Sequence, residues 1–206
     1  MIKIENTDVS GWEAAIRGMR NPMNSWDKSD SNFNAGFGSD GFIAGDNDLN
    51  LMRQLVQAGS DHSKFMRMIN VTVDVTAPLY WWKEADTYKV GTVRNSCSTM
   101  HKITAKEFEL DDFSHEHLTS NSLSVLLMTI KVLNEYRNNY LKITDRMYWW
   151  QLIQLLPSSY NQRATLQMNY AVLRNIYHSR KNHKLDEWHI FCRWVEMLPY
   201  SELITL

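Results

Sequence analysis

Residues 92–98, TVRNSCS, gather the short hydrogen-bonding side chains Thr92, Asn95, Ser96 and Ser98 around a cysteine, with Gly91 just before them. Hydroxyls, amides and turn backbone N–H groups in such density suit a polar ligand. Cys97 becomes a nucleophile if a base lowers its pKa, and His101 is near enough in sequence to be that base; otherwise it is an inert thiol. His115-Glu116-His117 sets two imidazoles on alternate positions, as a metal on a strand edge would require. The spacing fixes no third ligand, and no metal is expected. His178 and His183, near Asp186-Glu187, read as helix-end residues. No GxSxG nucleophile elbow occurs, and the glycines at 36, 38, 41 and 45 lack the GxxxxGK[ST] pattern of a phosphate loop.

Aromatic side chains cluster near this polar stretch. Tyr80, Trp81, Trp82 and Tyr88, with Trp149-Trp150 further on, could stack on a planar ligand or fill a core. Two adjacent tryptophans are not expected to face one core, so one of each pair should point to a ligand or a subunit interface.

The elements that must position these groups are legible in part. In residues 70–75, Val71, Val73 and Val75 alternate with Asn70, Thr72 and Asp74, the period of a half-buried strand, and the strand is expected over residues 64–75. Thr76 and Pro78 can cap and open a helix over residues 78–88. Before them come a short strand at 2–5, a short helix at 11–19, a long Asn-, Ser-, Asp- and Gly-rich loop or lid at 20–46, and a helix from Asp46 or Asn47 through Ala58, stopped by Gly59. Residues 102–113 read as strand then turn. From Asn121 the chain is helical, with Leu123, Leu126, Leu127, Ile130 and Leu133 on one face. Further helices are expected over 146–156, 160–180 and 186–198, the last ended by Pro199. With no repeat and no linker, the expectation is one α+β domain over residues 1–206, a small antiparallel sheet with a helical half.

The 206 residues are 44% hydrophobic, enough for a sizeable core, and the formal net charge of −1 argues against a global grip on nucleic acid. Arg174, Arg180, Lys181, His183 and Lys184 form a local basic cluster that also suits a helix C-terminus. Cys97 and Cys192, without a CxxC pair, fit free thiols in a reducing, cytoplasmic compartment. No apolar run reaches the length of a membrane span, and no targeting segment is read at the start.

The order LVQAGSDHSKF, strand, APLYWWKE, polar Ser-bearing loop, and later Met168-Asn169-Tyr170 and Glu187-Trp188 resembles the flavin-dependent thymidylate synthase (ThyX) family over about residues 51–200. That family carries Arg-His-Arg-x-x-Ser-x-Asn-x-x-Ser-x-Arg-Tyr. An ungapped register sets Thr87-Tyr88-Lys89 on Arg-His-Arg and Thr92 on the first serine; a one-residue shift sets Asn95 and Ser98 on the asparagine and second serine. Neither restores the arginines, whose planar fork grips phosphate and flavin groups.

The resemblance implies a thymidylate synthase complementing protein-like fold and a homotetramer binding FAD and dUMP. It implies a methyltransferase that uses NADPH and methylenetetrahydrofolate. By the same likeness, Lys89, Thr92 and Ser98 take catalytic positions. Tyr88, Asn95, Arg174 and Arg180 line the flavin and nucleotide, and Glu187 orients an arginine. Two alternatives stand beside this: a binding protein that has lost catalysis and keeps a nucleotide pocket, and a protein-binding factor, such as a virus-encoded one, on a recycled scaffold.

Overall fold

A computed structural model of the protein describes residues 1–33 and 41–206. Glycines 36 and 38 of the expected lid lie outside the described residues. Strand β2 (Asn70–Pro78) follows the alternation in the sequence: Val71, Val73, Val75 and Ala77 are fully buried and Thr72 is exposed. It starts later than expected, because Lys64–Arg67 forms a 3-10 turn. Pro78 ends the strand, so helix α3 (Leu79–Ala85) is shorter than the 78–88 segment expected.

The largest correction concerns residues 160–180. They are not one helix but strand β4 (Asn161–Asn169) followed by helix α7 (Tyr170–Arg180). Ala164, Leu166 and Met168 are buried while Arg163, Thr165 and Gln167 are exposed, a two-residue period that a helix cannot satisfy. Asn169 then switches the backbone, its side-chain oxygen accepting from the N–H of Val172 at 3.0 Å.

β4 pairs with β2 in one antiparallel register. Leu79 N donates to Tyr160 O at 3.0 Å, Thr165 Oγ1 donates to Asp74 at 2.5 Å, and Tyr170 N donates to Ile69 O at 3.0 Å. With β1 (Lys3–Ser10) and β3 (Val93–Ser96) the sheet order is β1-β2-β4-β3, an α+β architecture. The polar stretch expected as a loop thus contains an edge strand, and Cys97 N donates to Arg163 O at 2.9 Å beside it. Four mostly exposed residues, three of them polar, give an edge strand no alternation to read. Residues 102–113 hold turns and a 3-10 segment, Leu110–Asp112, rather than a strand.

The chain divides into two compact units, Met1–Lys3, Val75–Thr87 and Asn95–Ala164 in the first, the remainder in the second. In the first unit the core is Phe108, Phe113, Leu126, Ile130, Leu133 and Leu152, contributed largely by helices α5 (Ser120–Ile143) and α6 (Arg146–Leu155). Asn134 on α5 pins the incoming chain, accepting from Phe108 N at 2.8 Å and donating to Phe108 O at 2.9 Å. Helix α4 (Thr99–Lys102) is a single turn in this unit. Trp81 and Trp82 are both buried, against the expectation that adjacent tryptophans diverge. They meet edge to face at 4.9 Å, and Trp82 satisfies its N–H on Gln162 O at 2.9 Å. The other pair does split, with Trp150 44% exposed.

The second unit contains helices α1 (Trp12–Arg20), α2 (Asp46–Gln57), α7, α8 (Asp186–Glu196) and α9 (Glu202–Thr205). Buried Trp12 stacks on Phe42 at 4.8 Å and meets Tyr170 and Tyr200 edge-on. The described part of the 20–46 segment is tied down by a buried ion pair. Arg20 Nε donates to Asp48 at 2.6 Å and its other nitrogens to Ser25 O and Lys28 O. Asp48 also accepts from the hydroxyls of Ser29 and Ser31, both at 2.7 Å, and from the N–H groups of Asp30 and Ser31.

Burial by itself pushes the Asp48 carboxyl up. The hydrogen bonds from Ser31, Ser29 and Arg20 and the charge of Arg20 outweigh it, so the group ends below its usual range. A carboxyl depressed on folding contributes stability that is present above its unfolded value and lost as pH falls through the folded one. Asp48→Ala leaves Arg20 charged and buried and should cost about 3–5 kcal/mol of stability by denaturant titration. It should also remove part of the wild type's loss of stability below about pH 4.

Candidate functional site

Helix α2 ends at Gln57, and Gly59 just beyond it adopts φ +104°, the left-handed conformation that closes a helix. The N–H groups of His62 and Ser63 then return to the carbonyl of Gly59, both at 3.1 Å, and the 3-10 turn carries Arg67 forward to Ile69. Because Ile69 O receives the N–H of Tyr170, this turn faces the first turns of α7. Between them lies a cleft of about 150 Å³ lined by Ser60, Ser63, Arg67 and Arg174 together with Val56, Met66 and Ala171. Arg174 reaches Ile204 O at 3.3 Å, which steadies its side chain.

Two guanidinium groups and two hydroxyls form a donor set for a phosphate oxygen cluster, with no carboxylate among the lining residues. Nearby His178 is pushed down first by burial and then by the charges of Arg174 and Lys181, a sign of local positive potential. At this volume the cleft accommodates the phosphate end of a ligand rather than a whole dinucleotide, since complete ligand pockets run from about 300 Å³ upward.

A second cluster in the same unit joins Tyr88 to α7 and α8. Arg180 Nε donates to the Tyr88 hydroxyl at 2.8 Å, and its guanidinium lies 5.4 Å from the Tyr88 ring and 4.9 Å from that of Trp188. Glu187, beside Trp188 on α8, is buried. Gly91, at φ +76°, closes against the start of α7: a Cβ there would stand 3.0 Å from Val172 Cγ2 and 3.3 Å from Asn169 Nδ2. The loop is therefore held near both ends of α7. Along it Lys89 is exposed, and Thr92 Oγ1 is buried without a hydrogen-bond partner among the described residues.

Tyr88 and Arg180 are thus in contact, and Arg174 joins Arg67 in the cleft. Six positions separate Arg174 from Arg180, about 240° around α7, so they serve different faces. Asn95 and Ser98 belong to the first unit. Asn95 is exposed on β3, and Ser98 caps the single turn of α4, its hydroxyl accepting from His101 N at 3.1 Å. Cys97 is exposed on the chain edge, while burial and then Glu196 push the Cys192 thiol up to about 11. His115 Nδ1 is engaged by Phe113 O at 2.7 Å, and Glu116 by the amino group of Met1. Ser60, Ser63 and Arg67 were not foreseen as site residues. The signal was present in AGSDHSKF, where a helix-closing glycine precedes two serines and a basic turn.

The chain matches the solved structure of thymidylate synthase X (ThyX) from Helicobacter pylori with FAD and dUMP, at 16% identity and a TM-score of 0.70, over 98% of this chain and 96% of that one. This is the ThyX fold. The UMP/dUMP methylase PolB from Streptomyces cacaoi, bound with 5-Br dUMP, shares the fold at 15% identity and a TM-score of 0.68, over 100% of this chain and 95% of that one. The sequence matches no family model, and no curated protein matches it.

Gly91→Ala should cost at least about 1–2 kcal/mol in denaturant unfolding, because an L residue is strained at this φ and its methyl crowds Val172. An unchanged midpoint would show that the loop does not depend on this close approach.

Proposed function

We propose that the protein binds FAD and a uridine nucleotide on the ThyX scaffold, with dUMP methylation as its reaction. The observation that supports this is the convergence of Arg67 and Arg174 with Ser60 and Ser63 in one cleft, a donor set suited to a nucleotide or flavin phosphate. The residues present fit such a group: cations for its charge and hydroxyls for its remaining lone pairs. Bound flavin would supply the redox chemistry of one-carbon transfer, with methylenetetrahydrofolate and NADPH as co-substrates. In this reading Arg67 and Arg174 hold phosphate, and Lys89 and Thr92 face the nucleotide from the loop.

Turnover is expected to be weak. Each charge-assisted contact missing at Thr87 or Tyr88 costs about 2–4 kcal/mol of transition-state stabilisation, roughly 30- to 1000-fold in rate. The same substitutions favour the second reading, a nucleotide- or protein-binding factor that no longer catalyses. The exposed apolar side chains Val125, Leu127 and Met128 on α5, with Met147 and Trp150 on α6, favour self-association, a tetramer by resemblance, over a lone chain. No helix among the described residues is long and apolar enough to cross a membrane, and the free thiols fit work in the cytoplasm.

Titration of purified protein with FAD and with dUMP tests the reading. Both should bind, and Arg67→Ala or Arg174→Ala should each weaken one of them by about 1.5–3 kcal/mol, roughly 10- to 150-fold. Protein that takes up neither ligand contradicts it. Tritium release from C5-labelled dUMP with all co-substrates should be slow or absent, and robust release would show that the altered motif still catalyses. Light scattering should give a mass several times 24.2 kDa; a value for one chain would refute the oligomer.

A further inference from the structure

We propose that the groove beside α1 is a second ligand site, for the 2-amino-4-oxopyrimidine edge of a guanine nucleoside, with Phe33 as its stacking surface and the Glu13–Arg17 pair as the reader of that edge. The groove shares no lining residue with the cleft of Arg67 and Arg174, so it stands whether or not dUMP or FAD binds there.

Two adjoining cavities make up the groove. The larger, about 350 Å³, has Trp12, Phe33 and Phe42 in its walls; the smaller, about 210 Å³, has Ile16, Trp26, Ser29 and Arg20, and both are lined by Glu13, Arg17 and Phe33. The larger alone lies in the size range of small-molecule pockets. Asn32 and Ile43 exchange both backbone hydrogen bonds at 2.8 Å, an antiparallel bridge that sets Phe33 beside Phe42. Their rings stack at 5.6 Å and 25°, and Phe42 stacks in turn on buried Trp12 at 4.8 Å and 7°. This near-parallel column ends at half-buried Phe33, where a further planar ring can continue it. The clamp of Arg20 on Ser25 O, Lys28 O and Asp48 holds the wall of the smaller cavity, so the groove is formed before a ligand arrives.

Glu13 and Arg17 lie one turn apart on α1, with Nη1 of the arginine 3.6 Å from Oε1 of the glutamate, and they are 69% and 64% exposed. An exposed pair of this kind contributes little to stability, so a ligand edge enters between the two groups at small cost. A carboxylate only accepts and a guanidinium only donates, so side by side they match a ring edge that sets two N–H donors next to a carbonyl. Guanine has that edge: N1–H and the 2-amino group meet Glu13, and O6 meets Arg17. Adenine and uracil each put a lone pair where Glu13 needs a donor. Pterins carry the same edge as guanine but need only the larger cavity, whereas the smaller one, polar at Ser29 and Arg20, gives a nucleoside room for its sugar.

The test is calorimetric titration of the full chain with 2′-deoxyguanosine, which has no phosphate for the Arg67–Arg174 cleft to hold, read together with the indole N–H signal of Trp26 in the smaller cavity. A dissociation constant of the order of 10–100 µM is expected, with a shift of the Trp26 signal. Deoxyinosine, which lacks the 2-amino group, should bind about tenfold more weakly. Deoxyadenosine and deoxyuridine should leave the Trp26 signal in place. Glu13→Gln, at an exposed position, should keep the melting temperature and weaken deoxyguanosine binding about tenfold. Phe33→Leu should weaken it about tenfold through lost stacking.

No binding of deoxyguanosine at about 1 mM overturns the proposal. Heat of binding without a shift at Trp26, or wild-type affinity in Glu13→Gln, overturns it as well, because the ligand then sits elsewhere or ignores the edge reader. Glu13→Gln decides the matter even if Phe33→Leu proves too unstable to assay. Binding of pterin without binding of deoxyguanosine overturns the assignment to a nucleoside. Failure of dUMP and FAD to bind bears only on the phosphate cleft.

Discussion

The antiparallel register between β2 and β4 decides where every candidate cation in the second unit sits. A single pairing frame sets Tyr170 opposite Ile69, Asp74 opposite Thr165 and Leu79 opposite Tyr160. It therefore places the first turn of α7 against the 3-10 turn that precedes β2, and brings Arg174 to Arg67 across about a hundred residues of sequence. A slip of one residue would turn Ala164, Leu166 and Met168 out of the core and exchange them for Arg163, Thr165 and Gln167. The burial of one strand face thus fixes the geometry of a polar cleft to which that face contributes no atom.

The arginines of the second unit stand on regular elements rather than on its loop. The loop at residues 88–92 carries one permanent cation, Lys89, while Arg67 stands on the 3-10 turn and Arg174 and Arg180 stand on α7, which the loop meets through Tyr88 and Gly91. Cations on rigid elements hold geometry better than cations on a loop. The buried Arg20–Asp48 pair plays a separate part, organising the described portion of the 20–46 segment around α2 through backbone and hydroxyl donors.

Strand β2 was legible because its valines alternate with polar residues, and α5 because Leu126, Ile130 and Leu133 recur at helical spacing. β4 was not: Tyr160, Ala164, Leu166, Met168, Tyr170 and Leu173 fit either period, and the strong helix of α7 extended the reading backward over them. Missing β4 hid the cleft, since nothing in residues 59–67 alone says that α7 returns to them. Tyr88 and Arg180 were both singled out from the sequence, yet their contact was not, because a 92-residue separation carries no local signal. The burial of both Trp81 and Trp82 has a related cause: the N–H of Trp82 is satisfied by the carbonyl of Gln162 on β4, a partner 80 residues away that carries no local signal.

The most direct test of the account is a crystal structure of the protein soaked with dUMP and FAD. The account predicts phosphate density within hydrogen-bond distance of both Arg67 and Arg174, between the 3-10 turn and α7. Both ligands bound with their phosphates elsewhere, and the cleft filled only by water, would contradict it.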